Sequence, residues 1–204
     1  MSGLEPALAA LARGEIILLT GDRLRGGDVD LVAAASLVRP ETINFMARYA
    51  RGLICLAITP DRAVRLGLTL LDTGTLARTG RPFAPSIEAR EGITTGISAA
   101  DRAMTIQVAT SATASAQDIV SPGHVFPLIA SSGGVAARPS ATEAAVELCR
   151  MAGVGDAAVI CAVMKDDGNT ARAGDLGPFL IEHGMESADI GELIDAKDRD
   201  RQKS

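Results

Sequence analysis

The chain of 204 residues reads as a single α+β domain, a mixed β-sheet flanked by helices. Short apolar runs of the kind that form buried strands recur along it, separated irregularly by stretches with helical spacing. It has no internal repeat and no regular strand–helix–strand period, so a purely parallel sheet is not indicated. Apolar residues make up 47% of the chain but aromatics only 2%, and there are 21 glycines. The core must therefore be built from Ala, Val, Leu and Ile, which suits closely packed layers. A domain this long buries roughly 70% of its unfolded surface, so it needs no staples.

Leu4–Arg13 has Leu4, Leu8 and Leu11 near helical spacing and reads as a short helix. Glu15–Thr20 (EIILLT) is an apolar run before a turn, hence a buried strand. Gly21–Asp30 (GDRLRGGDVD) is a polar, glycine-rich loop beside a strand end, where sites are usually built. Val29–Ala35 reads as a strand. Pro40 opens a helix continuing through Glu41–Arg51, and Leu53–Ile58 (LICLAI) is a buried strand. Thr59 caps a short helix to Leu66. Leu71–Pro85 reads as a long loop, Ser86–Ala89 as a strand, and Ser98 as the cap of a helix. Residues 110–118 read as a loop and helix start, and Ser121–Ala136 as turns alternating with short strands. Thr142–Ala152 is a helix, Ala157–Val163 a buried strand, and Leu176–His183 a helix ended by Gly184. The domain is expected to span 1–194, with a frayed, charged tail over 195–204.

Net charge is −5. No stretch is strongly basic, which argues against a nucleic-acid partner. Cys55, Cys149 and Cys161 are too few and too irregular for a disulfide framework or a zinc site, and they sit in apolar runs where a buried free thiol is the ordinary state. The first residues carry Glu5, Arg13 and Glu15 and no apolar signal core. No apolar run reaches the roughly 18 residues of a membrane span. These features lead us to expect a cytoplasmic protein without membrane contact.

Four blocks carry chemistry: Glu91–Arg102 (EGITTGISAADR), Ser121–Leu128 (SPGHVFPL), Gly133–Ala144 (GGVAARPSATEA) and Asp166–Arg172 (DDGNTAR). In order and spacing, from roughly residue 5 to residue 194, the chain resembles the 3,4-dihydroxy-2-butanone 4-phosphate synthase family. The resemblance implies that family's α+β fold, a homodimer with active sites at the subunit interface, and a Mg²⁺-dependent lyase reaction. In that reaction ribulose 5-phosphate is enolised and rearranged, and loses C4 as formate, for riboflavin biosynthesis. The metal acts as a Lewis acid on carbonyl and hydroxyls, and acid–base groups move the protons.

The residues that hold the family's metal are replaced here. Its Arg-Glu-x-Glu-Gly-Asp loop reads Arg23-Leu24-Arg25-Gly26-Gly27-Asp28, so Leu24 stands at the metal-binding Glu and Gly26 at the second Glu. Its Arg-x-Gly-His-Thr-Glu segment reads Arg138-Pro139-Ser140-Ala141-Thr142-Glu143, with Ala141 at the metal-binding His. Ala162 stands where a further essential Glu follows Cys, and Pro82–Pro85 departs from a Thr-bearing pattern. Mg²⁺ wants carboxylate oxygens, which Leu24 and Ala141 lack, so no metal cofactor is expected.

Retained by resemblance are Arg23, Asp28, Cys55, Thr95, His124, Arg138, Thr142 and Glu143. They imply Arg138 and Thr142 on a phosphate, Asp28 on substrate hydroxyls, and His124 and Glu143 among the catalytic groups. Arg25 adds positive charge to a loop that has lost its acids, and is a candidate for direct anion pairing. Each has a structural alternative: Arg25 a solvated loop charge, His124 a hydrogen-bonding turn residue, Glu143 an early-helix acid, Thr142 an N-cap. Cys55 reads as core, Asp101 and Arg102 as a structural pair, and His183 as a surface or helix-capping residue.

Three functions fit. The first is a metal-independent enzyme turned to another small phosphate- or carboxylate-bearing substrate. The second is a non-catalytic ligand-binding homologue or dimer partner, and the third a synthase with an unusual site.

Overall fold

The computed structural model describes residues 3–71 and 80–203. They form a mixed seven-stranded sheet with helices on both faces, the architecture the sequence predicts. In chain order the elements are α1 (Leu4–Ala12), β1 (Ile17–Asp22), β2 (Asp28–Ala34), α2 (Pro40–Phe45), β3 (Cys55–Ile58), α3 (Pro60–Arg65), β4 (Ile87–Ala89) and α4 (Ala99–Thr110). They continue with β5 (Ile119–Ile129), α5 (Gly134–Ala137), α6 (Ala141–Met151), β6 (Ala158–Ala162), α7 (Gly177–His183), β7 (Ser187–Asp189) and α8 (Ile190–Lys203).

The strand order is β4-β5-β3-β6-β2-β1-β7, with β3 parallel to β5, β1 parallel to β7 and the remaining pairs antiparallel. Strand alternation divides the core between the faces. Leu31, Leu56, Val159 and Cys161 pack with Ile43, Met46 and Ile106, while Val32, Ala57, Ile160 and Leu128 pack with Leu11, Ala145 and Leu148. Small side chains dominate both layers, as the near-absence of rings requires.

Several expectations needed correction. Ser121–Ala136 is not a chain of turns: Ile119–Ile129 is one strand. Its prolines, read as breakers, are tolerated because Pro122 falls in a bulge between the pairings Ile87↔Val125 and Glu88↔Val120, and because the strand pairs with β3 from Phe126 onward. Residues 111–118 form turns after α4 and start no helix. The glycine-rich loop is shorter than Gly21–Asp30, since β1 runs to Asp22 and β2 starts at Asp28. The long-loop reading of Leu71–Pro85 lies partly outside the described residues. The tail after Asp195 continues α8 to Lys203; Ile190 and Leu193 are buried, and Lys197 forms an ion pair with Glu147 on α6.

His183 is neither a plain surface group nor only a cap. Its ring sits among Phe45, Tyr49 and Phe179, at centroid distances of 5.1, 4.7 and 4.5 Å. Met46–Ala50, between Phe45 and β3, is wound as a π-helix. Among the described residues no helix is long and apolar enough to cross a membrane.

Candidate active site

Two polar clusters contain most of the residues singled out by sequence. The first is built on the turn between β1 and β2. Asp22 ends β1, and its carboxylate accepts from the Arg25 backbone N–H at 3.2 Å, closing a 3-10 turn over Arg23–Arg25. Gly26 and Gly27 follow at φ +66° and +84°, a left-handed step that side chains resist, and the Gly27 N–H returns to the Asp22 carbonyl at 2.7 Å. The turn folds Arg25 back onto β2. Its guanidinium lies 2.5 Å from the Asp28 carboxylate and 3.8 Å from that of Asp30. Asp28 also pairs with Arg172, and Asp30 with Arg81. Arg25 is therefore no solvated loop charge: its side chain is only 19% exposed.

Asp30 is fully buried. Burial, and next the nearby charge of Arg81, lower the pKa of Arg25. Burial is the largest single influence on Arg81 and acts to lower its pKa, but Asp30 together with the other neighbouring groups carries the net shift upward. Both guanidiniums stay charged, as arginine always does in proteins. Cys55 lies in the same electrostatic neighbourhood, and burial pushes its thiol up to about 12. It is a core thiol, not a nucleophile.

The second oxygen of Asp22 accepts from the Ala141 backbone N–H at 3.0 Å, which ties the turn to the start of α6. There Ser140, not Thr142, occupies the N-cap position. Thr142 is buried in the first turn, so the capping reading is replaced. Glu143 does more than complement the helix dipole. Its fully buried carboxylate accepts from the Ser131 N–H at 2.9 Å and from the Ser140 hydroxyl, and lies 3.4 Å from the Arg138 guanidinium. Arg138 also donates to the Gly80 carbonyl at 2.8 Å.

The second cluster is on β4, β5 and the loop before α4. His124, with its side chain 44% exposed, donates from Nδ1 to the Glu88 carboxylate. The Asp101 carboxylate accepts from the Thr94 N–H (3.1 Å), the Thr94 hydroxyl (2.9 Å) and the Gly96 N–H (3.0 Å). These bonds hold the pKa of Asp101 down against its burial. Asp101 is thus a loop clamp and not a partner of Arg102, whose Nε has no partner among the described residues. Gly96, at φ +81°, packs so closely on Glu88 and His124 that a Cβ would collide with both. Thr95 is exposed beside it.

The structure thus joins Arg25, Asp28, Arg138 and Glu143 in one network, and pairs His124 with Glu88 in another, with Thr95 next in sequence to Gly96, which packs on both. Arg23 is exposed at the rim, and Leu24 is 37% exposed next to it. Residue reasoning missed Asp22, Asp30, Arg81, Arg172 and Glu88. Asp30 had a visible signal, a carboxylate two residues after Asp28 within an apolar strand, so on the same face. Arg81 had none, since its partner is 51 residues away.

The sequence profile of 3,4-dihydroxy-2-butanone 4-phosphate synthase matches residues 5–196. A protein of that name from Pseudomonas aeruginosa is 47% identical over 194 residues, 95% of this chain and 53% of the relative. The riboflavin biosynthesis protein RibBA of Aquifex aeolicus is 47% identical over 192 residues, 93% of this chain and 47% of its own length. The crystal structure of RibBX, a two-domain 3,4-dihydroxy-2-butanone 4-phosphate synthase from A. baumannii, superimposes with a TM-score of 0.86 at 45% identity, covering 94% of this chain and 56% of that one. A crystal structure of 3,4-dihydroxy-2-butanone 4-phosphate synthase with two magnesium ions gives 0.86 at 34% identity, covering 94% of each chain. The chain spans about half the length of the curated relatives it matches.

Proposed function

The chain belongs to the 3,4-dihydroxy-2-butanone 4-phosphate synthase family, and from that premise we propose that it binds a small phosphate- or carboxylate-bearing substrate on arginines, without a divalent ion. The observation that carries this reading is Arg25 inserted between Asp28 and Asp30. Leu24, Ala141 and Ala162 offer no oxygen or nitrogen donor in their side chains, and Mg²⁺ needs such ligands. The carboxylates nearby, Asp28, Asp30 and Glu143, are engaged by Arg25, Arg172, Arg81 and Arg138. This donor set does not fit the family's metal.

His124 is the acid/base group in this reading. Glu88 engages Nδ1 and favours the tautomer that leaves Nε2 as the free ring nitrogen. Such a group contributes about 10²–10⁴-fold to a proton transfer. Arg138 and the start of α6 are the phosphate side. We read the working unit as the homodimer that the family resemblance implies, in which His124 and Thr95 of one protomer complete the arginine cluster of the other.

A second reading is a synthase that acts on ribulose 5-phosphate despite these replacements. It is favoured by 47% identity to a protein of that name over nearly the whole chain. Incubating the purified protein with ribulose 5-phosphate and Mg²⁺ separates the two. The arginine reading expects no formate above the blank. Stoichiometric formate that chelation abolishes would establish the second reading instead.

A further inference from the structure

The turn-and-helix cluster closes on itself. Arg138 holds the Gly80 carbonyl, the next residue Arg81 pairs with Asp30, Asp30 lies beside Arg25, and Asp22 joins the Arg25 and Ala141 backbones, three residues from Arg138. Guanidiniums face this ring from two sides. On the α6 side is Arg138, tethered to Glu143 and to the helix start. On the β2 side, three guanidiniums (Arg25, Arg81 and Arg172) share the carboxylates of Asp28 and Asp30, while Asp22 is occupied by backbone N–H groups.

That side is incompletely paired. Nη1 of Arg25, Nη1 of Arg81 and Oδ2 of Asp30 are all buried with no hydrogen-bond partner among the described residues. The 3.8 Å between Arg25 Nη1 and Asp30 is too long for a hydrogen bond. The Arg81 side chain is only 9% exposed. Buried polar groups are nearly always satisfied, and two unbonded guanidinium donors against one unbonded carboxylate oxygen leave a donor in excess, which asks for a further acceptor. A guanidinium pair best accepts a planar or tetrahedral oxyanion.

We infer that the site takes a two-ended anion: a phosphate on the Arg138 side and a second anionic group, such as a carboxylate, on the Arg25–Arg81 side. This rests on the arginine-for-metal reading above and adds the class of ligand to it. A neutral polyol end brings only neutral acceptors to the N–H groups that Asp28 and Asp30 leave unbonded. A carboxylate supplies a charged acceptor where the family's resemblance places a metal-chelated group.

The test is calorimetric titration of the intact chain in EDTA with matched pairs: 3-phosphoglycerate against glycerol 3-phosphate, and 4-phosphoerythronate against erythritol 4-phosphate. Each pair differs only in carboxylate against alcohol. The carboxylate member of at least one pair is expected to bind about tenfold or more tighter, a difference typical of one charge-assisted contact. The preference should collapse in Arg25→Met, and in the charge-balanced double variant Asp30→Asn with Arg81→Met, which leaves no unpaired buried carboxylate to unfold the protein. Binding to the Arg138 side alone should persist in both. Equal affinity within both pairs overturns the two-ended inference while leaving metal-free anion binding standing. A preference unaffected by both variants overturns it as well. Binding that appears only when Mg²⁺ replaces EDTA overturns the underlying reading, and this inference with it.

Discussion

The arginine-lined turn and the His124 loop are both built from sequence blocks that resemble one family, yet they hold their charges in opposite ways. Around the turn, Asp28, Asp30 and Glu143 are buried and each is engaged by one or two arginines. Around the loop, His124 has one partner, Glu88, and keeps nearly half its side-chain surface in water. In the first region a charge cannot be removed without stranding its partner in a medium that punishes it. In the second, a group can be changed with little effect on the fold. The contrast separates what holds this molecule together from what is free to do chemistry.

The contrast is sharpest at Asp30. Asp30→Ala strands Arg81 and half-strands Arg25, and should cost about 3–5 kcal/mol, the range for a broken buried pair. Urea unfolding measures it, and a loss below 1 kcal/mol would mean the arginines rehydrate freely. Glu143→Ala removes an acceptor of two hydrogen bonds, but Arg138 is 26% exposed and can turn to water. We expect about 2–3 kcal/mol, the cost of unsatisfied buried groups, read as a shift in the urea midpoint.

Asp101 tests the loop clamp through pH. Its folded pKa is depressed, so its contribution is present above the ordinary carboxylate value near 3.9 and is lost as pH falls through the depressed value. The melting temperature of Asp101→Asn should therefore depend less steeply on pH below about 4 than that of the wild-type chain. Parallel curves would remove Asp101 from the account. The smallest effect belongs to His124→Ala, within about 0.5 kcal/mol in stability, as for exposed substitutions generally. A larger loss on thermal unfolding would place His124 with the structural charges.

How much of this the sequence carried follows the distance over which each residue is satisfied. The helices around Leu8 and Leu148 were visible because periodicity is local, and the one around Ile106 because its cap, Ser98, is local too. Arg138 and Glu143 were recognisable together because both fall within one short segment that carries the family resemblance. Asp22 meets Ala141 across 119 positions, and Glu88 meets His124 across 36, so no window of sequence shows either contact. Strand β5 was misread for a different reason: Pro122, Gly123 and Pro127 are honest turn signals, overridden by a bulge and a change of partner strand. In α8 the charges after Asp195 suggested fraying, but Lys197 docks on Glu147. That Leu24, Ala141 and Ala162 carry no donor atoms in their side chains was legible. That Arg25 folds onto Asp28 and Asp30 was not, because the turn that aims it is set by glycine backbone angles.

The ring cluster of Phe45, Tyr49, Phe179 and His183 has an optical consequence. The chain contains no tryptophan and one tyrosine, so its intrinsic fluorescence comes from Tyr49 alone. That ring touches His183, at the end of α7. Detachment of α7 would separate fluorophore from imidazole, so the emission of an unlabelled sample reports on that single junction between α7 and the segment after α2.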